Sequence, residues 1–155
     1  MRRKKLSKVL AIDPANVKTS FVLFDRETFE IYEYGRIPNQ DFIEYLKNVE
    51  CGVVALEIIV NMGVSGRTLF ETAEAVGIYT YITNDRQIAL KRVTRNEVKK
   101  HFKVKRSTKA QKQPSADSQI RSMLIERFGK EHTKGLAYDM WQAFAVGVYV
   151  VDKEV

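Results

Sequence analysis

Residues 9–25 read VLAIDPANVKTSFVLFD, an apolar run that ends on one aspartate, breaks at a proline and becomes apolar again. The flanking segments 8-KVLAID-13 and 19-TSFVLFD-25 are short and rich in β-branched and aromatic residues. With a Pro-Ala-Asn turn between them they predict two antiparallel strands. A third run, 29-FEIYEYGR-36, alternates apolar and polar residues and extends the meander. The first strand thus ends on Asp13, and open α/β sheets gather their sites outside the carboxyl ends of such strands.

Working outward, 40-QDFIEYLKNVE-50 sets Phe42, Ile43, Leu46 and Val49 at helical spacing, and 52-GVVALEIIV-60 reads as a buried strand, completing a β-α-β unit. The stretch 66-GRTLFETAEAVG-77 predicts a helix with Leu69, Phe70, Ala73 and Val76 inward, stopped by Gly77, and 78-IYTYIT-83 predicts a strand. A basic helical piece near 95-RNEVKKHF-102 follows, then helices at 115-SADSQIRSMLIERFG-129 and 136-LAYDMWQAFAVGVYVV-151. There is no internal repeat. The expectation is one α/β domain over 1–155, a mixed sheet of about five strands with helices on both faces. Residues 1–6 read as a flexible basic arm and 103-KVKRSTKAQKQPS-115 as a basic loop.

Composition bounds the function. A chain of 155 residues, 45% hydrophobic with three prolines, suits a single core. The net charge of +7 favours a polyanionic partner, nucleic acid or an anionic membrane surface. The lone Cys51 rules out an internal disulfide and fits a reducing compartment. No apolar run approaches the roughly 18 residues that span a bilayer, and Asp13 cuts the N-terminal apolar run short of a secretory signal. These readings predict a cytoplasmic location without membrane attachment. The basic charge is local: between Arg86 and Lys112 eleven Lys or Arg stand against the single acid Glu97. Phosphate contacts from such a segment set affinity and salt dependence with little sequence reading.

A second strand, 53-VVALE-57, ends on Glu57, and two strands each delivering an acid to one edge can place both within reach of a metal. Asp139 opens the apolar C-terminal helix, where the helix dipole favours negative charge. Three hard oxygen donors suit Mg²⁺, and no Cys or His cluster competes for a softer metal. Local readings stay open beside this one. Asp13 before Pro14 also suits a turn cap, and Asp139 an ordinary helix acid. Glu57 is harder to explain structurally, because a glutamate among Val53, Val54, Leu56, Ile58 and Ile59 is costly to bury unpaired.

The order IDPAN, then ALE, then a late acid followed by MWQAFAVG resembles the RuvC family of Holliday-junction resolvases, which have the RNase H-like fold. The likeness runs from Val9 to Val151 and is greatest to the branch carried by phages of bacteria such as lactococci, which would place the protein in the host cytoplasm. The resemblance implies a homodimer that binds branched DNA and nicks it by phosphodiester hydrolysis, using Mg²⁺, with Mn²⁺ able to substitute, and no organic cofactor. It implies Asp13, Glu57 and Asp139 as catalytic metal ligands, serving a two-metal displacement with ions about 4 Å apart. The chain departs from the family at Ala11 and Ala15, where relatives have glycine, and at Gln142, where the bacterial enzymes carry a second helix aspartate. Gln142 itself, or Asp117 in a segment resembling the phage branch, would complete the ligand set; Ser115 and Asp117 equally suit a helix start.

The DNA contacts expected are Arg67, Arg92, Arg95, Lys99, Lys100, Lys103, Lys105, Arg106, Lys109 and Arg121, with Met62 as a wedge at the junction centre. Trp141 reads as core, His101 as a surface residue and His132 as a loop residue that could alternatively move a proton. Two other classes remain: a non-catalytic branched-DNA-binding module, for which Gln142 speaks, and an actin or sugar-kinase type phosphotransferase. The second needs another domain to close over a nucleotide, and PANVKT lacks the glycines that let backbone approach phosphate.

Overall fold

The aspartate-ended run forms two antiparallel strands as its sequence dictates, β1 (Lys8–Asp13) and β2 (Lys18–Asp25), joined by the Pro14 turn. In the computed structural model, which describes residues 6–60 and 66–154, β3 (Ile31–Pro38) continues the meander. Helix α1 (Asn39–Asn48) then leads into β4 (Val53–Ile58), which lies parallel to β1. Helix α2 (Arg67–Asp85) leads into β5 (Ala89–Thr94), parallel to β4, and α3 (Arg95–His101), α4 (Ala116–Phe128) and α5 (Met140–Lys153) follow. The sheet order is β3-β2-β1-β4-β5, mixed in direction as expected.

Several sequence expectations are corrected. Residues 78–83 are not a strand but the second half of α2. Gly77 costs a helix about 1 kcal/mol relative to alanine, yet it does not end this one, because buried Val76, Tyr79, Ile82 and Thr83 recur at helical spacing. The fifth strand is instead β5, ALKRVT, in which only Val93 is buried. It is an edge strand whose Lys91 and Arg92 guard against strand addition and disguise its period. The inward face expected for α2 is also only half right: Val76 is buried, whereas Phe70 and Ala73 are exposed. The last helix starts at Met140 rather than 136, leaving Asp139 at its N-cap position.

Alternation along the strands splits the core into two layers. Leu10, Ile12, Phe21, Leu23, Val54 and Leu56 face α1 and α2, packing with Phe42, Leu46, Val76 and Tyr79. Val9, Ala11, Val22, Phe24, Val53 and Ala55 face the other way, against α5 and its neighbours. Helix α5 crosses this second layer so closely that a Cβ on Gly147 would stand 2.4 Å from the Phe24 ring and 2.9 Å from the Ala11 methyl. Its far end is tied down by Asp152, which accepts two hydrogen bonds from Arg127 of α4 at 2.8 and 2.9 Å and contacts His101 of α3 at 2.8 Å. His101 is therefore a half-buried packing residue rather than a surface one. Trp141 is core, as expected. Among the described residues no helix is long and apolar enough to cross a membrane.

Candidate active site

Register places the two strand-end acids side by side. In the parallel β1–β4 pair Val9 lies opposite Val53 and Ala11 opposite Ala55, so the same offset sets Asp13 against Glu57. Both therefore leave the sheet on the face that α5 covers, at the carboxyl ends of their strands. The two side chains are close enough to interact directly. Burial first, then the charge of Glu57, direct interaction with its side chain and the charge of Asp139 hold the Asp13 carboxyl well above the usual carboxylate range, while Arg95 pulls weakly the other way.

Helix α5 supplies the third side of the site. Asp139 sits immediately before its first residue, and one turn later Gln142, itself buried, donates from Nε2 to Glu57 Oε1 at 3.0 Å. The amide thus already fixes the carboxylate that an aspartate at this position would repel. The turn after Asp13 is held from the other layer by Asn39, which sequence reasoning passed over: its Nδ2 donates to the Ala15 carbonyl at 2.8 Å and its backbone N–H to the Val17 carbonyl at 2.9 Å. Its position directly after Pro38, at the start of α1, was the available signal.

A cleft of about 410 Å³ opens over the acids, bounded by Pro14, Ile58, Ile59, Thr94, Arg95, Asn96 and Lys99. Arg95 and Lys99 come from α3, whose start is fixed by a capping box between Thr94 and Glu97. Asp117 stands apart from the other acids. Its exposed carboxylate binds Arg95 Nη2 at 2.6 Å, so it reaches the cleft only through that guanidinium.

A second groove of about 810 Å³ shares Asn96 and Lys99 with the cleft and runs along Lys100, Lys103, Lys105 and Arg106. The basic loop that walls it is pinned by Gln119 of α4, which accepts from the Lys105 N–H at 2.8 Å and donates to the carbonyls of Lys105 and Pro114 at 2.9 and 2.8 Å. The other expected DNA contacts are scattered. Lys109 is exposed on the loop, and Arg121 stands over the Trp141 ring at 5.1 Å. Arg92 lies on the opposite, α2 side of the sheet, and Arg67 pairs with Glu71. Arg86, counted in the basic segment, is structural: it donates to the carbonyls of Leu46 and Val49 at 2.7 and 2.8 Å, closing the end of α1. His132 contacts the Phe29 carbonyl, away from the acids. Met62 lies outside the described residues.

Among the described residues no three His, Cys, Asp or Glu side chains form a ready-made metal cage. Mg²⁺ does not require one, since it keeps several waters and binds through one or two carboxylates and substrate phosphates. Two carboxyl groups in contact, with a third negative charge nearby, fit such an ion, because a divalent cation would relieve the repulsion that raises Asp13.

Comparison with known proteins places the architecture. The chain aligns with a structure described as Thermus thermophilus RuvC at a TM-score of 0.70 and 13% identity, covering 95% of both chains. It also aligns with T. thermophilus RuvC in complex with a Holliday junction substrate at a TM-score of 0.66 and 10% identity, covering 95% of this chain and 94% of the other. The fold is that of RuvC. No protein-family model matches the sequence, and no curated protein matches it. The RNase H-like expectation for the fold therefore holds over almost the whole chain, at an identity too low to carry activity with it.

Proposed function

We propose that this protein is a structure-selective endonuclease that binds branched DNA and nicks it by metal-dependent phosphodiester hydrolysis. The observation that carries the reading is the Asp13–Glu57 pair, two neighbouring carboxyl groups at adjacent strand ends beside Asp139, opening into a cleft flanked by Arg95 and Lys99. A purely structural role would not collect like charges under partial burial. The T. thermophilus neighbour held with a Holliday junction supports the four-way junction as the substrate to test first.

Asp13, Glu57 and Asp139 would hold Mg²⁺, or Mn²⁺ in its place, which supplies an acidified water and neutralises the charge developing on the phosphate. Gln142 fixes the rotamer of Glu57, and Asn39 fixes the turn that aims Asp13. Arg95 and Lys99 hold the flanking phosphates, and Asp117 acts as the counter-ion that orients Arg95. It becomes a fourth ligand only if Arg95 releases it. The groove along Lys100, Lys103, Lys105 and Arg106 takes a duplex arm by its backbone. Phe70, Ile78 and Tyr81 are exposed along one side of α2, and we assign that side to a two-fold dimer, because paired nicks need two acid clusters on one junction. The resemblance to the phage branch fits a role in phage DNA processing or recombination in the host cytoplasm.

A second reading, a DNA-binding module without catalysis, is favoured by Gln142, which brings no charge. Matched four-way junction, fork and linear duplex substrates separate the two. The endonuclease cuts the branched DNAs with Mg²⁺ and spares the duplex, whereas tight junction binding without turnover at any Mg²⁺ or Mn²⁺ concentration would leave only the module.

A further inference from the structure

The residue before Asp139 is held in a conformation that L-residues avoid. Tyr138 has φ +50° and is 80% exposed, more than any other large hydrophobic residue described. Nothing about burial explains it. The strap that carries it is nonetheless well anchored. Leu136 and Thr133 are buried, and Thr133 Oγ1 donates to the Gly129 carbonyl at 2.9 Å. Gly135, with φ +95°, lets the strap lie so close to β3 that a side chain there would collide with the Tyr34 hydroxyl. From the same strand the Arg36 guanidinium stands 5.8 Å from the Tyr138 ring centroid.

Sheet register relates this pair to the acids. Arg36 lies opposite Ser20, and Ser20 opposite Asp13, so all three share one cross-strand row and one face of the sheet. Two strand spacings put Arg36 roughly 10 Å from Asp13, on the side away from Arg95 and Lys99. That is about three base steps of a DNA strand. An exposed aromatic ring backed by a cation at this distance suits a nucleobase. The ring stacks on any base, and the guanidinium answers a phosphate without reading sequence. We propose that Tyr138 and Arg36 form a base-stacking site for an unpaired nucleotide of the strand whose phosphate lies over Asp13 and Glu57. The site thus holds its strand from both sides, by phosphates at Arg95 and Lys99 and by a base at Tyr138. The inference rests on the endonuclease reading for the identity of the ligand.

Equilibrium binding without divalent metal tests it, using a four-way junction carrying 2-aminopurine near the crossover and the variants Tyr138→Gly and Tyr138→Phe. Glycine accepts φ +50° without strain, so Tyr138→Gly should fold at least as stably as the parent. Base–aromatic stacking as measured by truncation corresponds to roughly 5- to 150-fold in affinity. We expect Tyr138→Gly to lose about tenfold, with the slope of log K against log salt unchanged and 2-aminopurine quenching abolished. Tyr138→Phe should stay within about twofold of the parent. Parent-like affinity and quenching in Tyr138→Gly would overturn the stacking site while leaving junction cutting untouched. Equal losses in Tyr138→Phe would also overturn it, by pointing to the hydroxyl or to a protein contact. A parent that binds no DNA at all would remove the endonuclease reading and this one with it.

Discussion

Asp13 is an acid placed by the fold beside two others, Glu57 and Asp139. In the folded, metal-free protein its carboxyl is held well above the ordinary carboxylate range by burial and by the charges of Glu57 and Asp139. The folded state therefore retains a proton that the unfolded chain has already lost. Stability contributed by that proton is fully present below about pH 4, the ordinary aspartate value, and is lost as pH rises through the elevated folded value. Thermal unfolding in EDTA should show Tm falling over this window. The Asp13→Asn variant, which never ionises, should show a smaller fall and a higher Tm at neutral pH, as should the parent with saturating Mg²⁺. A Tm that rises with pH in the parent would contradict the assigned electrostatics. The same residue scale separates the acids: Glu57→Gln or Asp139→Asn should lower cleavage roughly 100-fold or more with junction affinity nearly kept, by the scale of losses at metal sites. Asp117→Asn, acting only through Arg95, should cost tenfold or less; a loss as large as that of Asp13→Asn would make it a ligand.

At the scale of elements, α5 completes the candidate site, because it brings Asp139 and Gln142 up to the two strand-end acids. Its approach depends on Gly147, and Phe24 has no room to yield: it is fully buried between Phe29, stacked at 5.9 Å, and Phe144, edge-on at 5.4 Å. Gly147→Ala should therefore cost about 1–3 kcal/mol by overpacking, read as a lowered denaturation midpoint, together with reduced cutting. A neutral outcome would mean that α5 can ride higher on the sheet without harm. The sequence made the acids legible because each closes an apolar run, and it made α5 legible because the apolar pattern is long and continuous. It concealed β5, where Lys91 and Arg92 interrupt the strand period at an exposed edge, and it misread 78–83, where tyrosines and threonines suit strand and helix alike until Tyr79 and Ile82 are seen to share the buried face with Val76. Asp117 is a candidate ligand in the sequence because its segment resembles the phage branch, with an ordinary helix start as the other reading; the structure leaves its carboxylate exposed and paired with Arg95.

For the whole molecule, the proposed function divides between an acid-bearing cleft and a basic groove that meet at Asn96 and Lys99. Neutralising two of Lys100, Lys103, Lys105 and Arg106 should weaken binding to all branched DNAs alike and flatten log K against log salt by roughly 0.9 for each phosphate no longer neutralised by the protein. An unchanged slope would place the DNA elsewhere. The exposed side of α2 predicts a mass in solution near twice 17.9 kDa, reduced to the monomer by Phe70→Glu; a parent that sediments as a monomer while nicking junctions in pairs would refute the dimer. The central claim, that Asp13 and Glu57 form a hydrolytic metal site, is tested most directly by cleavage of a labelled four-way junction at protein concentrations that saturate binding, with Mg²⁺, for the parent beside Asp13→Asn. The account predicts nicking by the parent that disappears in the variant while the bound fraction stays the same; nicking by Asp13→Asn at the parent's rate would contradict it.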